Sequence, residues 1–185
     1  MNNELYHHGV KGMRWGVRKK RPTTGRHVRT RSGEQLYLQK RETPTFTKVL
    51  AKHNSKIRDT VNRTTQYNIM KGDKRVGDLE LYSVSKDELN GVWLGVKNNE
   101  RGHGYASAVL EDTINYAKQN GYKKMTLEVP GHSPDARHIY EKHGFVPTKV
   151  LSTQEDDPVW SGLTAMELDL TQVKHIDDNT YRKYR

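Results

Sequence analysis

The stretch ERGHGYASAVL, Glu100 to Leu110, sets an arginine and two glycines at the mouth of a helical pattern. Main-chain N–H groups at a helix start have no partner inside the helix. With the helix dipole they form a site that favours an anion such as phosphate. Gly102 and Gly104 would let the backbone approach a ligand with no Cβ between, and Arg101 adds positive charge. A tight strand-to-helix turn has the same residues, and a lone G-x-G does not separate the two readings.

The elements around this loop are readable from periodicity. EQLYLQ (34–39) reads as a first strand, and TFTKVLAKHNSKIRDTVN (45–62) as one helix, with Phe46, Val49, Leu50, Ile57 and Val61 near helical spacing. The runs 65–70, 75–84 and 91–96 alternate and are separated by turn residues, which predicts an antiparallel meander. After Val96 the period changes. Ala106, Val109, Leu110, Thr113, Ile114 and Ala117 mark an amphipathic helix closed by Asn120-Gly121. KKMTLEV (123–129) puts Met125, Leu127 and Val129 on one strand face and Thr126 and Glu128 on the other. Ser133-Pro134-Asp135 predicts a second helix start with a hydroxyl N-cap, and Ala136, Ile139, Tyr140 and His143 line one side of that helix. FVPTKVL and residues 159–170 predict a closing hairpin.

Two segments carry a family resemblance. R-G-H-G-Y-A fits R-x-x-G-x-A at Arg101, Gly104 and Ala106, and A-R-H-I-Y-E-K-H-G-F follows from Ala136 to Phe145. Together, at this spacing and with a strand and helix between, they resemble the signature segments of the GCN5-related N-acetyltransferases (GNAT), over roughly residues 34–170. The resemblance implies an α/β fold of α+β type. It has a mixed central sheet of about six to seven strands, an antiparallel N-terminal meander, a splayed parallel strand pair and flanking helices. It implies that Arg101, Gly102, His103, Gly104, Tyr105 and Ala106 cradle the pyrophosphate of acetyl-coenzyme A. Leu94 to Val96 would offer main-chain groups to the pantetheine arm, with an amide near Val96 as oxyanion donor. Ser133 stands where the family often has asparagine, and it is carried here as a cofactor-binding position.

Acetyl transfer to an amine needs a proton taken from the amine, a stabilised carbonyl oxygen and a protonated leaving thiolate. Glu128 and Tyr140, twelve residues apart, are similar to the glutamate and tyrosine of ribosomal-protein-type N-terminal acetyltransferases. That likeness implies Glu128 as general base through water and Tyr140 as general acid. A solvated Glu128 and a Tyr140 that merely packs on the cofactor remain open, since positioning alone supports much of this chemistry. The implied activity moves an acetyl group from acetyl-coenzyme A to an amine: a protein N-terminus or lysine first, a small-molecule amine second. The alternative from another class is a non-catalytic, coenzyme-binding or virion-associated interaction protein of the same fold.

Composition bounds these readings. The 185 residues make one ordinary domain with room for tails, and the absence of cysteine excludes disulfides, thiolate metal sites and a cysteine nucleophile. No apolar run approaches the ~18 residues of a membrane span, so no membrane partner is expected. Among nine histidines there is no H-E-x-x-H, and His138 and His143 are five apart, so no metal is expected. The net charge of +10 is uneven: residues 1–31 hold nine Lys/Arg and one acid, and residues 32–185 are near neutral at +2.

The expected organisation is a basic flexible leader (1–33), an acetyltransferase domain (34–170) and a polar tail (171–185). Tyr6, Met13 and Trp15 among the leader's bases suit a peptide docked on a host or virion protein, or an arm on nucleic acid. The segment YHHGVKGMRWGVRKK (6–20) also resembles a short element in proteins of tailed-phage and prophage structural gene clusters. That likeness implies a phage-encoded protein in the bacterial cytoplasm, with virion association open.

Overall fold

The computed structural model describes residues 25–151 and 162–172. The expectations for the leader before Gly25 and for the tail beyond Gln172 lie outside the described residues.

Among the described residues a single sheet has eight strands, one or two more than expected. They are β1 (Gly25–Arg29), β2 (Gln35–Lys40), β3 (Thr64–Lys71), β4 (Lys74–Ser83), β5 (Glu88–Val96), β6 (Lys124–Val129), β7 (Val146–Val150) and β8 (Thr164–Asp169). Their spatial order is β1-β2-β3-β4-β5-β6-β8-β7, and every neighbouring pair is antiparallel except β5 with β6. Four helices connect them: α1 (Thr45–His53), α2 (Ser55–Arg63), α3 (Tyr105–Gln119) and α4 (Pro134–Lys142).

One face of the sheet carries the apolar core from β1 to β8, while β7 at the far edge is exposed along its whole length. Cross-strand partners share a face, so the pairings Tyr67 with Leu79, Leu79 with Leu94, and Leu127 with Met166 carry the core across the sheet. Leu36, Leu38, Ile69 and Met125 are buried in the same cluster. α3 lies on this face through Val109, Ile114 and Ala117, and Thr113 is accommodated because its hydroxyl donates to the Val109 carbonyl at 2.7 Å. α4 joins α3 there, with the His143 ring nitrogen Nε2 3.2 Å from Ser107 Oγ. The other face is polar: Gln66 donates to Glu80, and Asn90 and Glu88 both meet the Thr126 hydroxyl.

Two boundaries differ from the sequence expectation. The sheet begins at Gly25, inside the segment expected to be leader, because Val28 buries beside Leu36 and Arg26 has a specific seat. The Arg26 guanidinium lies over the Tyr67 and Tyr116 rings at 4.9 and 4.3 Å and donates to Asp112 at 2.6 Å. A strand this short with three bases hides its alternation. The expected helix over 45–62 is two helices. Asn54 takes an extended conformation, and its side-chain oxygen accepts from the amides of Lys56 and Ile57, so it ends α1 and caps α2. Of α1's apolar residues only Ala51 is buried, and Phe46 is 73% exposed.

Arg26→Ala removes a cation from between two rings and leaves Asp112 half-buried without its partner. It is expected to lower the unfolding free energy by about 2–3 kcal/mol in urea titration. A loss below about 0.5 kcal/mol would mean that β1 contributes little to the domain.

Candidate active site

β5 holds the key irregularity. Its antiparallel pairing with β4 runs from Ser83–Leu89 to Gly77–Val96, with a shift in register that leaves Val92 as an extra residue. Its parallel pairing with β6 covers only Glu88–Lys124 to Gly91–Leu127. Beyond Gly91 the two strands therefore part, while β4 stays attached.

The ladder also fixes where the freed groups point. The Lys97 amide donates to the Val76 carbonyl at 2.9 Å. That bond flanks the Gly77–Val96 pair, which is therefore of the non-hydrogen-bonded type. Two residues back, Leu94 opposite Leu79 has the same phase. The N–H and C=O groups of Leu94 and Val96 thus turn away from β4, toward the gap beside β6. Both side chains are half-buried against the core.

The chain then passes through a 3-10 turn (Asn98–Glu100) into the glycine loop. Gly102 (φ +82°) and Gly104 (φ +75°) adopt the left-handed conformation, and Gly104 is the N-cap of α3 with no side-chain cap bond. Among the described residues, the amides from Gly102 to Ser107 donate to no carbonyl. A Cβ built on either glycine would meet nothing within 4 Å, so the space before these amides is open. A surface depression beside them is walled by Arg31, Gly102, His103, Gly104, Ser107 and Lys142. Arg101 is exposed, and its Nε donates to the Val96 carbonyl at 3.3 Å. Ala106 is half-buried in the first turn. Tyr105 differs from the rest: it points into the protein and is 1% exposed.

Glu128 is exposed near the end of β6, opposite Ala165 of β8 and past the last β5 pairing. Tyr140 is half-buried on α4, its ring edge-on to Phe145 at 5.8 Å. Its hydroxyl bonds to none of the described residues, and burial pushes the phenol above its ordinary value of 10.0. Glu128 extends from the polar face of β6, and Tyr140 lies on the helix-bearing side against Phe145. Ser133 occupies the N-cap of α4 but makes no side-chain cap bond, contrary to the expected hydroxyl cap; its carbonyl accepts from Arg137 instead. Among the described residues no group of three His, Asp or Glu is placed to hold a metal ion.

Sequence reasoning missed two ion pairs behind the loop. Lys71 bridges Glu34 and Tyr105, and Lys74 pairs with Glu100. Lys71 and Lys74, at the two ends of the turn between β3 and β4, were the available signal. The Val92 bulge had no signal in alternation alone.

An acetyltransferase (GNAT) family model matches residues 32–145, and a family of unknown function (DUF7211) matches residues 1–22. None of the curated proteins matches the chain. Among solved structures, a GNAT family acetyltransferase from Elizabethkingia anophelis with acetyl-CoA bound is similar at TM-score 0.56 and 18% identity, covering 72% of this chain and 97% of that one. Spermidine N-acetyltransferase from Vibrio cholerae, in complex with CoA and spermine, gives TM-score 0.54 and 19% identity over 70% and 78% of the two chains. A Bacillus subtilis acetyltransferase in complex with CoA gives 0.55 and 18% over 77% and 98%. At these identities the likeness establishes the shared fold.

The open space at both loop glycines makes backbone conformation the whole cost of a side chain there. Gly102→Ala and Gly104→Ala are each expected to destabilise by about 1–2 kcal/mol in chemical denaturation. A loss of less than half that would show that the loop relaxes out of the left-handed conformation.

Proposed function

The chain belongs to the acetyltransferase (GNAT) family, and on that premise we propose that it transfers the acetyl group of acetyl-coenzyme A to an amine. The observation that carries this reading is the continuity of two sets of main-chain groups that no strand or helix pairs, with the Val96 carbonyl taking only the Arg101 side chain. Leu94 and Val96 face the gap between β5 and β6, and the amides of 102–107 face open space one turn later. The first set suits the amide-bearing pantetheine arm and the second a diphosphate. Acetyl-coenzyme A would supply an activated thioester at the point where the strands part.

In the proposed mechanism Glu128, exposed to water, removes the proton of the incoming amine through a bound water. The amine nitrogen forms a bond to the carbonyl carbon. The amide of Val96 stabilises the negative oxygen. As the C–S bond breaks, the Tyr140 phenol donates its proton to the sulfur, and solvent restores it. Burial keeps that phenol protonated throughout the neutral range. Ser133, near the N-terminus of α4, is assigned a cofactor contact from the start of that helix. Protein N-termini and lysines come first as acceptors. The polyamine-acetylating neighbour keeps small-molecule amines in view. α1 and α2, with Phe46, Val49 and Leu50 exposed, are assigned to the acceptor side.

A second reading is favoured by the separate family match over residues 1–22. On it the domain binds the coenzyme without turnover and serves as an interaction or virion component, tethered by its basic leader. Time-dependent release of free coenzyme A in the presence of an acceptor separates the two. Isotopically labelled acetyl-coenzyme A, incubated with a peptide and polyamine panel and read by mass spectrometry, is expected to label amines. No heat on titrating coenzyme A into the purified chain would sink both readings.

Glu128→Gln and Tyr140→Phe are each expected to lower turnover by about 10²-fold or more, with coenzyme affinity nearly unchanged. The pH profile adds a sign. The acid form of Tyr140 is present below its pKa, which burial has raised above 10.0. Its loss therefore appears as a fall in kcat only above pH 10, and Tyr140→Phe should abolish that limb. Unaltered turnover in both variants would remove the assigned roles.

A further inference from the structure

Tyr105 is the first residue of α3 and sits among amides that face outward, yet its side chain turns inward. Its hydroxyl lies 2.7 Å from the Nζ of Lys71, the last residue of β3. The same ammonium is 2.8 Å from Glu34 Oε1, at the foot of β2. Lys71 also stands 5.4 Å from the centre of the Tyr105 ring. On its other side the ring stacks against His103 of the glycine loop, at 5.3 Å and 21° between planes. Three residues separated by 37 and 34 positions thus meet at one point beneath the loop.

A loop with two left-handed glycines loses much backbone freedom on ordering, and its own contacts are few: Arg101 with Asn98 and Val96, the His103 ring on Tyr105, and the Gly104 carbonyl accepting from Ala108. Outward amides gain nothing from neighbours, so order must come from behind. We infer that Lys71, Glu34 and Tyr105 are a positioning triad that holds the 101–106 loop with its amides presented to the diphosphate. The inference rests on the diphosphate reading of that loop. Lys71 is balanced by Glu34, so the triad adds no net charge to the cradle; its contribution is geometry. Its members keep their charge states over a wide range. The tyrosine and glutamate contacts hold Lys71 protonated above its usual range, and Lys71 and Tyr105 hold Glu34 ionised below its own. The triad therefore stays intact from about pH 5 to pH 10. Lys74 with Glu100 secures the loop's other end, since Glu100 closes the 3-10 turn and is buried.

The test uses the full chain and two readouts: amide hydrogen exchange without ligand over residues 108–111, the first hydrogen-bonded amides of α3, where Ala108 donates to the Gly104 carbonyl of the loop, and calorimetric titration with coenzyme A. Tyr105→Phe and Lys71→Met are each expected to speed exchange about tenfold and to raise the Kd for coenzyme A about tenfold, the equivalent of about 1.4 kcal/mol. Lys71→Arg, which keeps the charge and donors, should recover at least half of each loss. Leu168→Ala, in β8 of the core, should lower Tm at least as far while moving neither readout. Wild-type exchange rates in Tyr105→Phe and Lys71→Met would overturn the triad. So would Lys71→Arg behaving like Lys71→Met, or Leu168→Ala shifting both readouts equally. Should the wild-type chain give no heat with coenzyme A, the diphosphate reading fails, and exchange alone decides the triad.

Discussion

Buried main-chain donors and acceptors seldom go unpaired. Past Gly91, where its residues are half-buried or exposed, β5 has a neighbouring strand on one edge only. Its contact with β6 ends at Gly91–Leu127, while its contact with β4 continues to Gly77–Val96. Five residues in the middle of an eight-stranded sheet are left with one edge satisfied and one open. The cause is local: the extra residue at Val92 shifts the register against β4 and turns the strand out of line. The rest of the site follows from this parting. The strand's end leads through one tight turn to the glycine loop, so the open edge and the open amides form one track rather than two sites.

The parts of this track differed in how far sequence could reveal them. Gly102 and Gly104 were legible because positive φ and a helix start leave a signature in residue type. α3 was legible because a fifteen-residue helix repeats its apolar spacing often enough to be recognised. Glu128 and Tyr140 could be placed on their elements, but assigning them roles required a likeness to known enzymes. β1 was not legible, since Arg26 occupies an inward position through contacts with Tyr67, Tyr116 and Asp112 that only the folded chain assembles. Asn54 was hidden for a similar reason: a single polar residue at a helical spacing looks like a solvated face until its side chain is seen bonded to the next helix. Glu34, Lys71 and Tyr105 lie in three separate elements, and no pattern along the chain connects them.

Charge divides the molecule in a way that composition conceals. The described domain balances its ions mostly in pairs: Arg26 with Asp112, Lys71 with Glu34, Lys74 with Glu100, Lys124 with Glu88 and Glu167. The more exposed of these pairs contribute little to stability, unlike Arg26 with Asp112, whose side chains are mostly buried. Their value at the loop is specificity of geometry, the better-attested use of partly buried ions. The excess positive charge belongs instead to residues 1–31. Any long-range attraction for an acidic partner is therefore largely a property of that segment, which includes the Arg31 that walls the depression beside the glycine loop.

The proposed division of labour between Glu128 and Tyr140 follows from where the sheet places them. A general acid must hold its proton until the sulfur departs, so it benefits from an environment that opposes ionisation. Tyr140 has that environment, with its ring against Phe145 and its phenol raised by burial alone. A general base acting through water must stay in contact with solvent. Glu128, on the polar face and free of the β5 ladder, meets that condition. The two requirements conflict on a single surface. In the proposed mechanism the two faces of the sheet keep these requirements apart, Glu128 on the wet side and Tyr140 on the dry one.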